Sequence, residues 1–432
     1  AIAEQDFTGA GDLCLRCHTP DGWMGGRSTP TDGTGLASGD ADGVSCDACH
    51  RMTNPDQSEW LGEQNAPFLA HDGESPATGW YGSGAMVLWD GSNTKLGPYA
   101  DAEPNHGFLA SSFHRSSDFC GTCHDVSNPV TGDLAPGNGA QFPLADGFSG
   151  VPGGPVEGKA AFNHAPYSYG VVERTYSEHM ASAFPTLPVA DTPQLPAELQ
   201  QGIIAAVYQA ALDGEPSTNY SDGTLRTFTC QSCHMRPTTG YAADKQGLQL
   251  RTDLPMHDMT GGSSWMPSAI LAMDQLGQLV EGGGLSADEQ AGLLAGAVRA
   301  ENNLKSSAAL VVEGDTLKVI NLTGHKLISG YPEGRRMWLR VTWTDGGGNV
   351  VRTDGAYGPM TVLLDAEAVL VDSLLSPDDP HTHQYLVHQG MSQEWAAGLV
   401  GLGWDPGLEL AFDRMTGEVT LRGRVLPVGG VR

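Results

Sequence analysis

The chain has 432 residues and carries 51 Asp and Glu against 23 Lys and Arg, a formal charge of −28. That balance excludes nucleic acid and anionic membrane surfaces as partners, since both demand a basic face. The length allows two or three domains, and no run of about eighteen apolar residues able to span a bilayer occurs.

The chain opens AIAEQDF, without the charged and apolar regions of a secretory signal. Residues 1 to about 195 are rich in Gly, Pro, Asp and Ser, as in Gly25–Gly43 and Gly132–Gly158, with almost no sustained periodicity. Composition alone would make this a tangle of loops. The same region nevertheless holds three of the four copies of one pentapeptide: Cys14-Leu-Arg-Cys17-His18, Cys46-Asp-Ala-Cys49-His50, Cys120-Gly-Thr-Cys123-His124 and, later, Cys230-Gln-Ser-Cys233-His234. All eight cysteines are used and none is left over.

C-x-x-C alone reads as a redox dithiol or half a zinc site, whereas C-x-x-C-H reads as covalent c-type haem attachment. A disulfide framework or a pair of four-cysteine zinc sites has no use for the recurring histidine. In the haem reading, the two thiols add to the vinyl groups of one macrocycle and the adjoining imidazole is held beneath the iron. The sequence thus specifies four haem c groups, with His18, His50, His124 and His234 as proximal ligands. Each is a large apolar body that supplies core to a segment lacking its own. Haem attachment of this kind takes place on exported chains, so a removed signal and a periplasmic or extracellular location are expected. Asp32 and the run Asp40-Ala-Asp42-Gly43 offer oxygen ligands for Ca²⁺, although turns explain the same residues without a complete calcium loop.

Helices become legible further on. Pro196–Asp213 begins with Pro in the first turn and stops at Gly214, and a second helix is expected from Pro267 to Val280. Ser286-Ala-Asp-Glu289 is a capping box opening a third, to about Lys305. From Ala308 the apolar period becomes two, with Met337, Leu339, Val341 and Trp343 alternating before Gly346-Gly-Gly-Asn349 and a second run, which predicts a hairpin. The expected fold is therefore an irregular, haem-packed region with a few α-helices (residues 1–307), then a small antiparallel β-sandwich-like domain (308–432).

Ten histidines remain beyond the proximal four: His71, His106, His114, His164, His179, His257, His325, His381, His383 and His388. The stretches GDLCLRCHTPDGWMGGRSTPTDGTGL, DGVSCDACHRM, NHGFLASSFHRSSDFCGTCHDVSNP, TFTCQSCHM, PMHDMTGGSSWMPS and VINLTGHKLISGYPEGRRMWLRV resemble exported bacterial multihaem c-type cytochromes. The TGHK-x-x-x-GYP-x-GRR block is the most specific of them. The resemblance implies that His106 or His114, His257 and His325 cap haem irons, with the β-domain contributing His325. The chain reads HKLISGYP where the family has HKLPTGYP, and YSEHMASAF puts His179 where an aromatic residue is expected, making it a possible extra ligand.

Bis-histidine ligation saturates an iron and suits electron transfer; an open position suits catalysis. The surplus of histidines and the lack of a recognisable catalytic constellation favour transfer over a multihaem reductase. The haem count resembles that of extracellular tetrahaem cytochrome filaments, in which case His71, His106 or His164 would be donated between subunits. A discrete periplasmic carrier is the alternative. In either case the expected partners are redox proteins or extracellular electron acceptors.

Overall fold

The structure is a computed structural model that describes residues 11–54, 58–60, 62–64, 84, 86–89, 93–127, 171–173, 175–214, 218–220, 222–279, 282–327, 330–331, 335–364, 367–386, 410–412, 419–421 and 424–426. It is mixed: short helices, small sheets of two or three strands and irregular connections. Two compact units divide after Gly330.

In the first unit, one apolar cluster forms from Trp23, Met52, Met86, Leu88 and Phe113, with Met24 and Phe119 against it. A second gathers Val189, Ile203, Ile204, Val207, Ala211, Phe228 and Leu322. It lies between the helix Gly202–Gly214 and the antiparallel hairpin Ala308–Glu313 with Thr316–Asn321, whose Ala309 and Ile320 pack onto it. Burying each large apolar side chain here contributes about 1.5–3 kcal/mol, enough to dock the hairpin on the helix. The hairpin therefore belongs to the first unit, and the division falls later than the expected boundary at 307/308.

The helix expected from Pro196 starts late. Pro196 caps a single 3₁₀ turn, Ala197–Leu199, and the α-helix begins at Gly202, whose φ is +56°. That left-handed conformation breaks the run, and only Gly fits, because a Cβ would collide with the Ser306 carbonyl oxygen and Leu322. The helix expected over Pro267–Val280 spans Met266–Gln275 and stops at Gly277 (φ +64°), where Gln278 N–H donates to Met273 O (2.9 Å) in a Schellman arrangement. The capping box is formed as expected: Ser286 Oγ accepts from Glu289 N–H (3.3 Å), Glu289 Oε2 accepts from Ser286 N–H (2.7 Å), and the helix runs Ala287–Ser306.

A polar layer ties distant segments together. Arg251 stacks over the Tyr99 ring (3.9 Å) and donates to Asp253 (2.9 Å) and Asp101 (2.6 Å), while Tyr99 O–H donates to the Asp253 carbonyl (2.6 Å). This anchors the strand Arg251–Pro255 beside residues 99–101 and fixes where the following loop, Met256–Thr260, lies.

The second unit consists of separate small antiparallel ladders. Val341–Thr344 pairs with Val350–Asp354 across the Gly-rich turn, as the sequence predicts, with a bulge between Trp343 and Thr344. Asp345 holds that turn by accepting from Gly347 N–H (2.8 Å) and Asn349 N–H (2.9 Å). The alternating run 337–343 is split, because Arg336–Trp338 pairs instead with Gln384–Leu386. Tyr357–Leu364 pairs with Glu367–Leu374, and Leu410–Phe412, Val419–Leu421 and Arg424–Leu426 form a three-stranded sheet. Among the described residues no ladder merges these into one larger sheet.

Candidate haem-attachment centres

Each pentapeptide lies on a short helix or its continuing turn. Cys14, Cys17 and His18 end the helix Gly11–His18, Cys46–Arg51 contains the second set, and Cys230–His234 is the fourth set entire. Cys120 lies in Ser117–Gly121, and the turn continues through His124, whose N–H donates to Cys120 O (2.9 Å). Residues i, i+3 and i+4 share a helix face, so both thiols and the imidazole emerge side by side.

What starts these helices is the residue ahead of the motif. Ser45 Oγ accepts from Ala48 N–H (3.1 Å), and Thr229 forms a capping box with Ser232. Ser116 accepts from Asp118 N–H (3.1 Å). Such caps are each worth about 1 kcal/mol, and they set the helix face from adjacent residues alone. Ser45 and Thr229, immediately before the first cysteine of their motifs, are N-cap signals present in the sequence itself.

The imidazoles are oriented through one nitrogen. His50 Nδ1–H donates to Leu96 O (2.7 Å) and His234 Nδ1–H to Thr260 O (2.7 Å). A carbonyl can only accept, so Nε2 carries the lone pair in both. His124 Nδ1 meets the Glu173 carboxylate instead (3.0 Å). That hydrogen bond raises the His124 pKa, on a ring that is itself exposed. Glu173 responds in the other sense: burial would raise its pKa, but the bond to His124 brings it below the usual range. His18 is exposed.

The other histidines fall into two groups around these. His50 has His114 with ring centroids 5.7 Å away and His257 at 6.2 Å, tilted by 37° and 34°. Two imidazoles that held one metal from opposite sides, at about 2 Å from each nitrogen, would have centroids about 6 Å apart. His114 uses its Nε2 on the Met52 carbonyl (3.0 Å), lies against Phe119 and is pushed down to about 4 by burial. His257 is exposed, and among the described residues nothing hydrogen-bonds its ring.

In the second group, His325 interacts electrostatically with His234, His179 and Glu173. Its Nδ1–H donates to Lys326 O (2.9 Å), and its loop is fixed by Asn321 Nδ2–H to His325 O (2.7 Å) and Lys326 N–H to Glu178 (2.8 Å). Lys326 also ion-pairs with Glu178. His325 belongs to the first unit. His179 is buried, pairs through Nε2 with Ser117 Oγ (3.0 Å) and is lowered to about 4 by burial and then by His325. His106 is exposed, its Nδ1–H donating to Gly107 O (2.8 Å). His71 and His164 lie outside the described residues.

None of the eight cysteines is in a disulfide, and contacts among them bring the four motifs together. Cys17 and Cys123 are hydrogen-bonding neighbours, as are Cys120 and Cys230. The first contact lowers Cys17 and, with burial, raises Cys123; the second lowers Cys230 and raises Cys120. Cys49 acts electrostatically on both Cys120 and Cys123. The third motif is thus neighbour to the other three. Burial pushes Cys49 up to about 11 and Cys233 up to about 12.

Two of the calcium candidates hold local structure. Asp40 takes Arg27 through both oxygens (2.6 and 2.8 Å) and Ala37 N–H (2.8 Å), and Asp32 accepts from Thr34 (2.9 and 2.7 Å).

Among the described residues, no three His, Cys, Asp or Glu side chains are grouped to hold a metal ion by themselves. The donor set of two thiols and one imidazole per helix fits a macrocycle tied through both sulfurs, which needs only axial nitrogens from the protein. No family model, curated protein or solved structure matches the chain.

In the cofactor-free polypeptide at pH 8, a thiol-alkylating reagent should label exposed Cys14 and Cys46 at least about tenfold faster than Cys49 and Cys233, whose burial disfavours the thiolate. Peptide mass spectrometry over time checks the order.

Proposed function

We propose that the chain is an exported tetrahaem c-type cytochrome that transfers electrons through bis-histidine haems. The observation that carries this reading is the presentation of two thiols outside any disulfide and an imidazole on one helical face, with Nδ1 already engaged at three of the four motifs. When bound, haem supplies a one-electron iron couple at each motif. The thiols would fix position, the Nδ1 acceptors would fix ring orientation, and the nearness of Cys17 to Cys123 and of Cys120 to Cys230 would set their motifs side by side. The chemistry of attachment makes the chain periplasmic or extracellular.

The contacts across motifs also favour a second reading, in which Cys17–Cys123 and Cys120–Cys230 are disulfides. A pyridine haemochrome assay with intact mass separates the two: the haem reading expects four covalent haems per chain, and none with the loss of four hydrogens would establish the cross-links instead.

His257 is assigned as the distal partner of His50, on their 6.2 Å separation and its otherwise unbonded ring. His257→Ala should turn one haem in four high-spin in the oxidised absorption spectrum; four low-spin haems in that variant would return the role to His114. His325 is the corresponding candidate near His234, its Nε2 left unengaged by the bond from Nδ1.

Polymerisation into an extracellular filament is the assembly proposed. With a charge of −28, subunits repel at a distance, and a directional metal–ligand bond is indifferent to net charge. Exposed His106, with its ring oriented through Nδ1, has the chemistry of such a donor. Electron microscopy of the purified protein should show filaments; monomers alone at high concentration and moderate salt would make it a discrete carrier.

A further inference from the structure

Three proximal imidazoles have an Nδ1 acceptor, and the acceptors differ in charge. Leu96 O and Thr260 O, each 2.7 Å from its histidine, are neutral carbonyls. Glu173 Oε1, 3.0 Å from His124, belongs to a carboxylate. Its side chain is 19% exposed, and Thr175 Oγ–H donates to the same oxygen (2.8 Å), which holds the carboxylate in place. A negative charge on the far nitrogen of an imidazole makes the near nitrogen a stronger donor, and second-shell partners of this kind tune the metal they never touch.

We propose that Glu173 is a positioning residue that lowers the reduction potential of the haem at Cys120–His124 below those at Cys46–His50 and Cys230–His234. This rests on the haem reading above. More electron donation favours the oxidised iron, so the centre that neighbours the other three is also the hardest of the described set to reduce. One electron enters from a neighbouring centre and one leaves to the next, with no net chemistry at Glu173.

The test uses the full-length holoprotein. Glu173→Gln retains an acceptor oxygen and removes the charge; Glu173→Asp retains the charge. Haemochrome counting comes first, and fewer than four haems in the wild type overturns the underlying haem reading. With four haems in place, spectropotentiometric titration of Glu173→Gln should show one midpoint potential rising and three unmoved, with one low-spin electron paramagnetic resonance signal altered. Four unmoved potentials, or all four rising together, overturn the role of Glu173 while leaving the haem reading intact. If Glu173→Gln loads incompletely, Glu173→Asp decides: a single low potential retained supports the proposal, and its loss with the charge still present overturns it.

Discussion

An imidazole offers a lone pair from Nε2 in a fixed direction only while its Nδ1 proton has a fixed acceptor. Much of the first unit follows from that requirement, because the acceptors come from far along the chain. Leu96 sits in the parallel pair Thr94–Gly97 with Gly107–Ala110. Thr260 O, the acceptor for His234, is itself fixed by Asn303 Nδ2–H (2.6 Å) from the helix Ala287–Ser306. Glu173 ends the strand Val171–Glu173, which pairs with Val126–Ser127 just beyond His124. Two small sheets that look like minor decoration each deliver an acceptor to an imidazole.

The buried arginines add a second kind of order. Arg226 and Arg251 are nearly inaccessible and share Asp253, while Arg226 stacks on Tyr220 (4.4 Å) and Arg251 on Tyr99. Desolvating these charges offsets much of their attraction, so they contribute little net stability. Their geometry is directional, however, and an apolar contact would not specify which strand lies beside Tyr99. A chain so acidic overall places part of its scarce positive charge inside, where it selects a single register for the segment leading to His257.

The short helices at the C-x-x-C-H pentapeptides depend on local sequence, and Ser45 and Thr229 state where two of them start. The capping box at Ser286 and the Gly-rich hairpin were readable for the same reason. The long-range pairings were not. Nothing in the sequence links His257 to His50, Glu173 to His124 or Cys230 to Cys120, since each depends on segments that meet only when folded. Gly202 misled in the opposite direction: its neighbours have helical periodicity, while the approach of Ser306 and Leu322 forces the turn that interrupts it. The hairpin at Ala308–Asn321 shows strand period but packs on a helix of the first unit, so a change of period did not mark a boundary between units.

The proximity of Cys17 to Cys123 and of Cys120 to Cys230 has a bearing on biogenesis. Once the chain has collapsed, these sulfurs face one another, and Cys120, Cys123 and Cys230 are only partly accessible. On the haem reading, a maturation enzyme would not then reach them, and an oxidising compartment would join them to one another first. Cofactor loading would on that reading have to keep ahead of folding, on a chain still extended. The capped helices suit that schedule, since each motif can take up its shape from adjacent residues before the rest of the protein has arrived.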